Sequence, residues 1–294
     1  MSLPDISRMD RYPTRTAEPL PHIDRSDPTV WGTIETATLS DFEADGFAIL
    51  DALLDPMEVA DFTAEIDRLT RDPDLWLDDR LIIEKSARRV RSIFEVHRLS
   101  TAIAELVRET RIAGLARQIL GSEVYLHQSR VNMMPGFAGT GFYWHSDFET
   151  WHAEDGMPAP RAVSLSIALT DNHPFNGSLM VMPGSHRTFV PCHGRTPAEH
   201  FRESLREQQI GVPTQADIAE LANKHGIRQF TGPAGSALLF DSNIMHASSN
   251  NITPFPRSNI FLVFNSVENT LGAPYGADAP RPTYIGSRDF TPVR

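Results

Sequence analysis

The spacing of apolar and polar positions divides the chain into a helical first part and a strand-rich second part. Residues 39–46 read as a short helix closed by Gly46, and residues 47–50 as the strand that follows it. Asp55 ahead of Pro56 supplies an N-cap with proline at the first helical position, which predicts a helix to about residue 70. Residues 100–109 and 111–120 place Ile103, Leu106 and Val107, then Ile112, Leu115 and Ile119, at helical spacing, with Gly121 as the C-cap. Beyond it the pattern turns to short β-type runs at 123–133, 142–148, 163–170, 179–182, 235–240 and 260–267. Turn clusters separate them, among them Met134-Pro-Gly136, Asp171-Asn-His-Pro174 and Pro183-Gly-Ser185. Helices first and strands later predict an α+β fold with a mainly β core. Many short strands punctuated by turns predict a double-stranded β-helix, the jelly roll of cupin-like proteins, with the helices flanking it on the N-terminal side.

With 294 residues and 40 % hydrophobic content, the chain can bury a sizeable core in one large domain or two small ones. Residues 1–32 are rich in proline and charge, which predicts an arm lying over a single domain formed by residues 33–294. An insertion at about 196–227, with a helix at 197–208, interrupts the strand series of that domain. The formal charge of −11 argues against nucleic-acid binding. The largest basic cluster, Ser86-Ala-Arg-Arg-Val-Arg91, reads as a solvated or ion-paired segment. Lysine occurs only at Lys85 and Lys224, so arginine carries almost all the positive charge, and its planar fork favours fixed bidentate contacts with carboxylates. A single cysteine, Cys192, excludes an internal disulfide and a cysteine-rich metal site. The first residues lack a signal-peptide pattern and no segment offers about 18 consecutive apolar residues, so no membrane association and a cytoplasmic location are expected.

Candidate chemistry centres on His145 and Asp147, two apart in a run expected to be a strand, where side chains at i and i+2 share a face and can grip one ion. A bare His-x-Asp is more often a pair of polar residues on a surface strand. His246 shifts that balance: it ends Asp241-Ser-Asn-Ile-Met-His246 behind an apolar strand and completes a set of two histidines and one carboxylate. Such a set leaves three positions of Fe(II) open for a cosubstrate and oxygen. Arg257, eleven residues beyond His246 and just ahead of another strand, suits the distal carboxylate of 2-oxoglutarate, because a guanidinium offers two parallel hydrogen bonds. On residue pattern alone, a surface salt bridge for Arg257 and a hydrogen-bonded core position for His246 stay open. His152 is seven residues after His145, on the opposite face of a straight strand, and is expected outside the ligand set.

The block Trp144-His-Ser-Asp-Phe-Glu-Thr-Trp-His-Ala-Glu-Asp-Gly-Met-Pro158, with His127-Gln-Ser-Arg130 before it and Asn176-Gly-Ser-Leu-Met-Val-Met-Pro-Gly-Ser-His186 after it, resembles the ectoine hydroxylases, a branch of the phytanoyl-CoA dioxygenase-like enzymes. The resemblance extends over nearly the whole chain. It includes the opening Asp10-Arg-Tyr-Pro-Thr-Arg15 and the segment Pro256-Arg-Ser-Asn-Ile-Phe-Leu-Val-Phe-Asn-Ser-Val-Glu-Asn269. It implies iron ligation by His145, Asp147 and His246, with 2-oxoglutarate held by Arg257 beside Asn132. It further implies ectoine contacts at Gln128, Trp151 and Phe264, joined by Thr150, and no catalytic residue beyond the iron centre. The implied reaction is Fe(II)- and O2-dependent hydroxylation of ectoine to 5-hydroxyectoine, with 2-oxoglutarate converted to succinate and carbon dioxide, in a homodimer. Ectoine is a small zwitterion with a delocalised amidinium, so an aromatic wall of Trp151 and Phe264 would meet its cationic face, although aromatic residues in β-rich proteins are more often core. The turn that carries Met134 offers no cation, so Arg257 is expected to act with neutral helpers.

Two other readings compete. A related dioxygenase could act on another small molecule, such as an amino acid, and a jelly-roll protein could hold a ligand without catalysis. A serine hydrolase is excluded, because Ser185 and His186 are adjacent in a turn, which does not place a base at a nucleophile. Either the residues around Arg88 or the insertion is expected to cover the iron site, since the reaction must be kept from water.

Overall fold

The computed structural model describes residues 10–84, 88–206 and 210–294. Strand β1 (Ile23–Asp24) lies in the arm, and helix α1 (Ala37–Asp45) leads into strand β2 (Phe47–Leu50), as the sequence pattern predicts for the latter two. Gly46 closes α1 at φ 79°, a left-handed conformation that is unstrained for a residue without a Cβ. Helix α2 (Pro56–Arg71) opens on a reciprocal cap: the Asp55 carboxylate accepts from the Met57 and Glu58 N–H groups, and Glu58 accepts from the Asp55 N–H. Strands β3 (Leu81–Ile83) and β4 (Val90–Phe94) come as a correction, because β4 starts inside the basic cluster. Arg88 and Arg89 are exposed there, whereas Arg91 is buried and donates to Glu84 Oε2 at 2.8 Å; Ser86 and Ala87 lie outside the described residues. Helices α3 (Val96–Leu99), α4 (Thr101–Arg108) and α5 (Leu115–Leu120) complete the helical part.

The second part holds strand β5 (Val124–Met134), strand β6 (Phe142–His145) and helix α6 (Asp147–Thr150), which runs into a wider helical turn, Trp151–Asp155. Strands β7 (Ala162–Ala168), β8 (Leu179–Val181) and β9 (Thr188–Phe189) precede the insertion. Helices α7 (Phe201–Ser204) and α8 (Gln215–His225) lie within it. The helix expected at 197–208 contracts to α7, and Gln208 falls outside the described residues. Helix α8 was not expected, although Thr214 and Asp217 cap it reciprocally. Strands β10 (Arg228–Gln229), β11 (Ala237–Asp241), β12 (His246–Ser248) and β13 (Arg257–Ser266) close the series.

Two antiparallel sheets form the core: a seven-stranded one in the order β2-β11-β7-β13-β5-β4-β3 and a four-stranded one in the order β10-β8-β12-β6. Strands β1 and β9 make a separate pair that ties the arm down. Period-two alternation decides what each face of the large sheet buries. Ile260, Leu262 and Phe264 of β13 point to the helical side, where they pack with Ile66 of α2 and with Ile103 and Leu106 of α4. Phe261 of the same strand and Phe240 of β11 point the other way, against Leu179 and Val181 of β8. Each such side chain contributes about 1.5–3 kcal/mol through burial. The result is the predicted α+β architecture, a jelly-roll core with helices α1–α5 on one side, and its two inner faces enclose the candidate site.

Candidate active site

Pairing between strands brings the two histidines together. His145 at the end of β6 is the cross-strand partner of His246 at the start of β12, and their ring centres lie 4.2 Å apart. Asp147 reaches them by a different route from the one expected. The strand predicted over 142–148 stops at His145, because the Ser146 hydroxyl accepts the Glu149 N–H at 3.3 Å and caps α6, so that Asp147 becomes the first helical residue. From there Asp147 Oδ1 lies 3.8 Å from His145 Nε2 and 3.9 Å from His246 Nε2. One ligand atom from each of the three buried residues falls within 4.8 Å of the others.

Both imidazoles are oriented by backbone. His145 Nδ1 donates to the Tyr143 carbonyl at 2.7 Å and His246 Nδ1 to the Ile244 carbonyl at 3.1 Å, so each presents the lone pair of Nε2 to the shared point. Burial, and then the neighbouring His246, hold His145 down at about 4, so it is neutral at neutral pH and ready to ligate. Two imidazoles and one carboxyl side chain on one side of an otherwise open point fit Fe(II). His152 stays apart, as expected: its Nδ1 lies 2.7 Å from the Met157 carbonyl, its Nε2 lies 2.9 Å from Asp10, and its ring stacks on Tyr275.

The cavity beside the triad is walled by alternate residues of two paired strands. Gln128, Arg130 and Asn132 of β5 line it, as do Arg257 and Phe261 of β13. Arg257 is 2 % exposed; its Nη1 donates to the Gly177 carbonyl, its Nε has no partner, and no carboxylate pairs with it among the described residues. Burial, and then the nearby Arg91, pull its guanidinium down to about 10. An uncompensated buried cation facing a cavity is a receptor for an anion. Asn132 Oδ1 accepts from the Ser92 hydroxyl at 2.7 Å. Gln128 Nε2 donates to the Ile285 carbonyl at 2.6 Å, which leaves its Oε1 buried without a partner. Thr150 and Trp151, at the end of α6, complete this wall, and Trp151 rests edge-on against His127 with ring centres 4.9 Å apart.

Phe264 does not join them. It shares the outward parity of Ile260 and Leu262, is 1 % exposed and packs in the helical core, so the expected aromatic contact at that position is corrected; Phe261 is the β13 aromatic on the cavity side. Besides Phe261, two cationic cavity residues were missed. Arg130 lies between Gln128 and Asn132 with the same parity, and its guanidinium sits 5.0 Å from the Phe261 ring centre. Arg281, from the C-terminal segment, lines the cavity while its Nε and Nη2 donate to the two oxygens of Asp155 at 2.8 and 2.5 Å. Parity alone would have revealed Arg130; no local pattern marks Arg281. Arg130 and Arg281 therefore share the cavity with Arg257, and Arg91 lies near Arg257 itself. Met134 is buried against Gly139 and Gly177 and so backs the turn that receives Arg257. Of the two segments expected over the site, the insertion reaches it, through Ser204 and Leu205, whereas Arg88 packs on Trp76.

A family model described as phytanoyl-CoA dioxygenase matches residues 42–259. An ectoine dioxygenase of Nocardia farcinica is 74 % identical over 288 residues, covering 98 % of this chain and 97 % of the relative. A crystal structure of EctD from S. alaskensis with 2-oxoglutarate and 5-hydroxyectoine superposes with a TM-score of 0.86 at 42 % identity, covering 97 % of both chains. The same protein with bound Fe gives the same TM-score and identity over 97 % of this chain and 98 % of the other.

Proposed function

This chain belongs to the phytanoyl-CoA dioxygenase family, and from that premise we propose that it hydroxylates ectoine to 5-hydroxyectoine with Fe(II), 2-oxoglutarate and O2, releasing succinate and carbon dioxide. The observation that carries the reading is one cavity in which His145, Asp147 and His246 converge while the buried Arg257, with no carboxylate partner among the described residues, faces the same space. A protein that merely held a metal would gain nothing from leaving a guanidinium buried without a counter-charge.

His145, Asp147 and His246 would hold the iron. When bound, it supplies the oxidising chemistry that couples decarboxylation of the keto acid to insertion of one oxygen atom into a C–H bond. The chain itself binds, orients and excludes water. Arg257 takes the distal carboxylate of 2-oxoglutarate, and Asn132, steadied by Ser92, lines the same cavity beside it as a neutral helper. Gln128 offers its free Oε1 as an acceptor for an amidinium N–H of ectoine, and Trp151 and Phe261 give the ring an aromatic wall, with Thr150 beside them. Arg130 and Arg281 add cationic edges for carboxylates. Ser204 and Leu205 of the insertion close one side of the cavity against water. No residue is assigned as a general acid or base.

Residues 33–294 are proposed to act as one catalytic domain carrying the insertion at about 196–227, with residues 1–32 as its arm. A homodimer in the cytoplasm is proposed for assembly and location on the strength of the family resemblance; among the described residues no helix is long and apolar enough to cross a membrane. The reaction is tested by loading the protein with Fe(II) and supplying 2-oxoglutarate, O2 and ectoine. Succinate and a product heavier by one oxygen atom are expected in equal amounts. Succinate without hydroxylated ectoine would keep the dioxygenase and discard the substrate, and neither product despite bound iron would favour a binding protein.

A further inference from the structure

Residues 147–155 have two faces. Asp147, Thr150 and Trp151 line the cavity, whereas Phe148, Glu149 and His152 meet the N-terminal arm. Asp10, Tyr12 and Thr14 alternate along the arm in the manner of an extended chain with one side turned to this segment. Asp10 Oδ1 lies 2.9 Å from His152 Nε2, the Tyr12 ring stands edge-on to Phe148 with centres 5.2 Å apart, and the Thr14 hydroxyl donates to Glu149 Oε1 at 2.6 Å. Arg15 then closes a bidentate pair: its Nε donates to Glu149 Oε1 at 2.6 Å and its Nη2 to Oε2 at 2.9 Å. The side chains of this pair are 0 % and 1 % exposed. Arg15 holds a φ of 57°, which non-glycine residues adopt only when their surroundings demand it.

Burying two charges this deeply desolvates both, so such a pair is a poor source of net stability and a good means of fixing one geometry. Glu149 stands two residues beyond Asp147 in the same helical turn, and that turn begins at the metal site. We propose that residues 10–15 form a positioning strap for the metal-bearing turn, in which the Arg15–Glu149 pair fixes Asp147 relative to His145 and His246. The inference rests on the three-residue metal site. It gives a role to the opening Asp10-Arg-Tyr-Pro-Thr-Arg15, which the reaction itself leaves unused. Partners that orient metal ligands from behind change metal affinity by about 10–100-fold when altered.

The test uses the full chain, freed of metal by a chelator and titrated anaerobically with Co(II), whose visible absorption reports the number and arrangement of its ligands. Arg15→Lys keeps the charge and loses the fork, and Glu149→Gln keeps the shape and loses the charge. Leu106→Ala on α4, remote from the site, supplies a comparison destabilised by cavity formation alone. Arg15→Lys and Glu149→Gln are expected to weaken Co(II) binding about tenfold or more, to alter its absorption and to speed amide exchange at residues 147–155 in the metal-free protein. Leu106→Ala is expected to change none of these. Should Glu149→Gln fail to fold, Thr14→Val removes a single donor to the same carboxylate and is expected to shift affinity in the same direction. Equal affinity and absorption in the strap variants, or losses no larger than those of Leu106→Ala, would overturn the strap alone. Failure of the unaltered protein to bind Co(II) would remove the metal site and the strap with it.

Discussion

At the scale of single residues, parity along a strand decides which side chains can touch a ligand. Arg257 and Phe261 differ by an even number and share the cavity side of β13; Phe264 is odd relative to both and lies among the helices. On β5, Gln128, Arg130 and Asn132 obey the same rule. Phe264→Leu is therefore expected to cost about 1–2 kcal/mol of stability through imperfect repacking, with the KM for ectoine unchanged. Gln128→Ala, which removes a buried acceptor in the cavity, is expected to raise that KM roughly tenfold with little effect on the melting temperature. Steady-state kinetics and thermal unfolding on both variants check the pair, and a raised KM in Phe264→Leu would count against this placement. His145, Asp147 and His246 were legible as a candidate cluster through their spacing and the family resemblance of the block around them, and the resemblance also singled out Arg257. Arg281 was not legible, because its position depends on where the C-terminal segment crosses the cavity.

At the scale of elements, local capping outweighed strand propensity. Residues 142–148 carry enough aromatic residues to read as one strand, yet Ser146 followed by acidic residues at 147 and 149 is an N-terminal helix signal, and the chain bends there. The bend turns Asp147 toward two histidines that strand pairing has already placed opposite each other. Helix α8 carried the same kind of signal in Thr214 and Asp217 and was hidden by its setting in an irregular insertion. Strands β3 and β4 were hidden for another reason: their arginine-rich connection masks short apolar runs, and Arg91 is buried where Glu84 of the same hairpin neutralises it and the Thr140 carbonyl accepts from it. The long alternating strands and the amphipathic helices, by contrast, needed no tertiary information, and they were legible.

At the scale of the molecule, burial of histidines sets how the fold responds to acid. Burial holds His145 down at about 4 and His186 at about 3, against 6.5 for the exposed group. Between those values and 6.5 the unfolded chain binds protons that the folded chain refuses, so stability is fully present above pH 6.5 and is lost as pH falls toward 3 to 4. The depressed carboxylates Glu149 and Asp155, held down against their burial by Arg15 and Arg281 respectively, act in the same direction at the acid end. Urea unfolding of the metal-free protein is expected to show a midpoint that declines steadily below pH 6.5, and His186→Gln should flatten part of that decline; a flat profile from pH 7 to 5 would contradict it. The central claim, that one cavity binds iron through the triad and 2-oxoglutarate through Arg257, is tested most directly by anaerobic titration. Fe(II) and then 2-oxoglutarate are added to the unaltered protein, His246→Ala and Arg257→Gln, with the charge-transfer absorption of the iron–keto-acid chelate as the signal. One iron per chain and a visible band are expected for the unaltered protein, loss of the band for His246→Ala, and for Arg257→Gln the same band at a 2-oxoglutarate concentration higher by about tenfold or more. Bound iron with no band in the unaltered protein, or equal 2-oxoglutarate affinity without Arg257, would contradict the account.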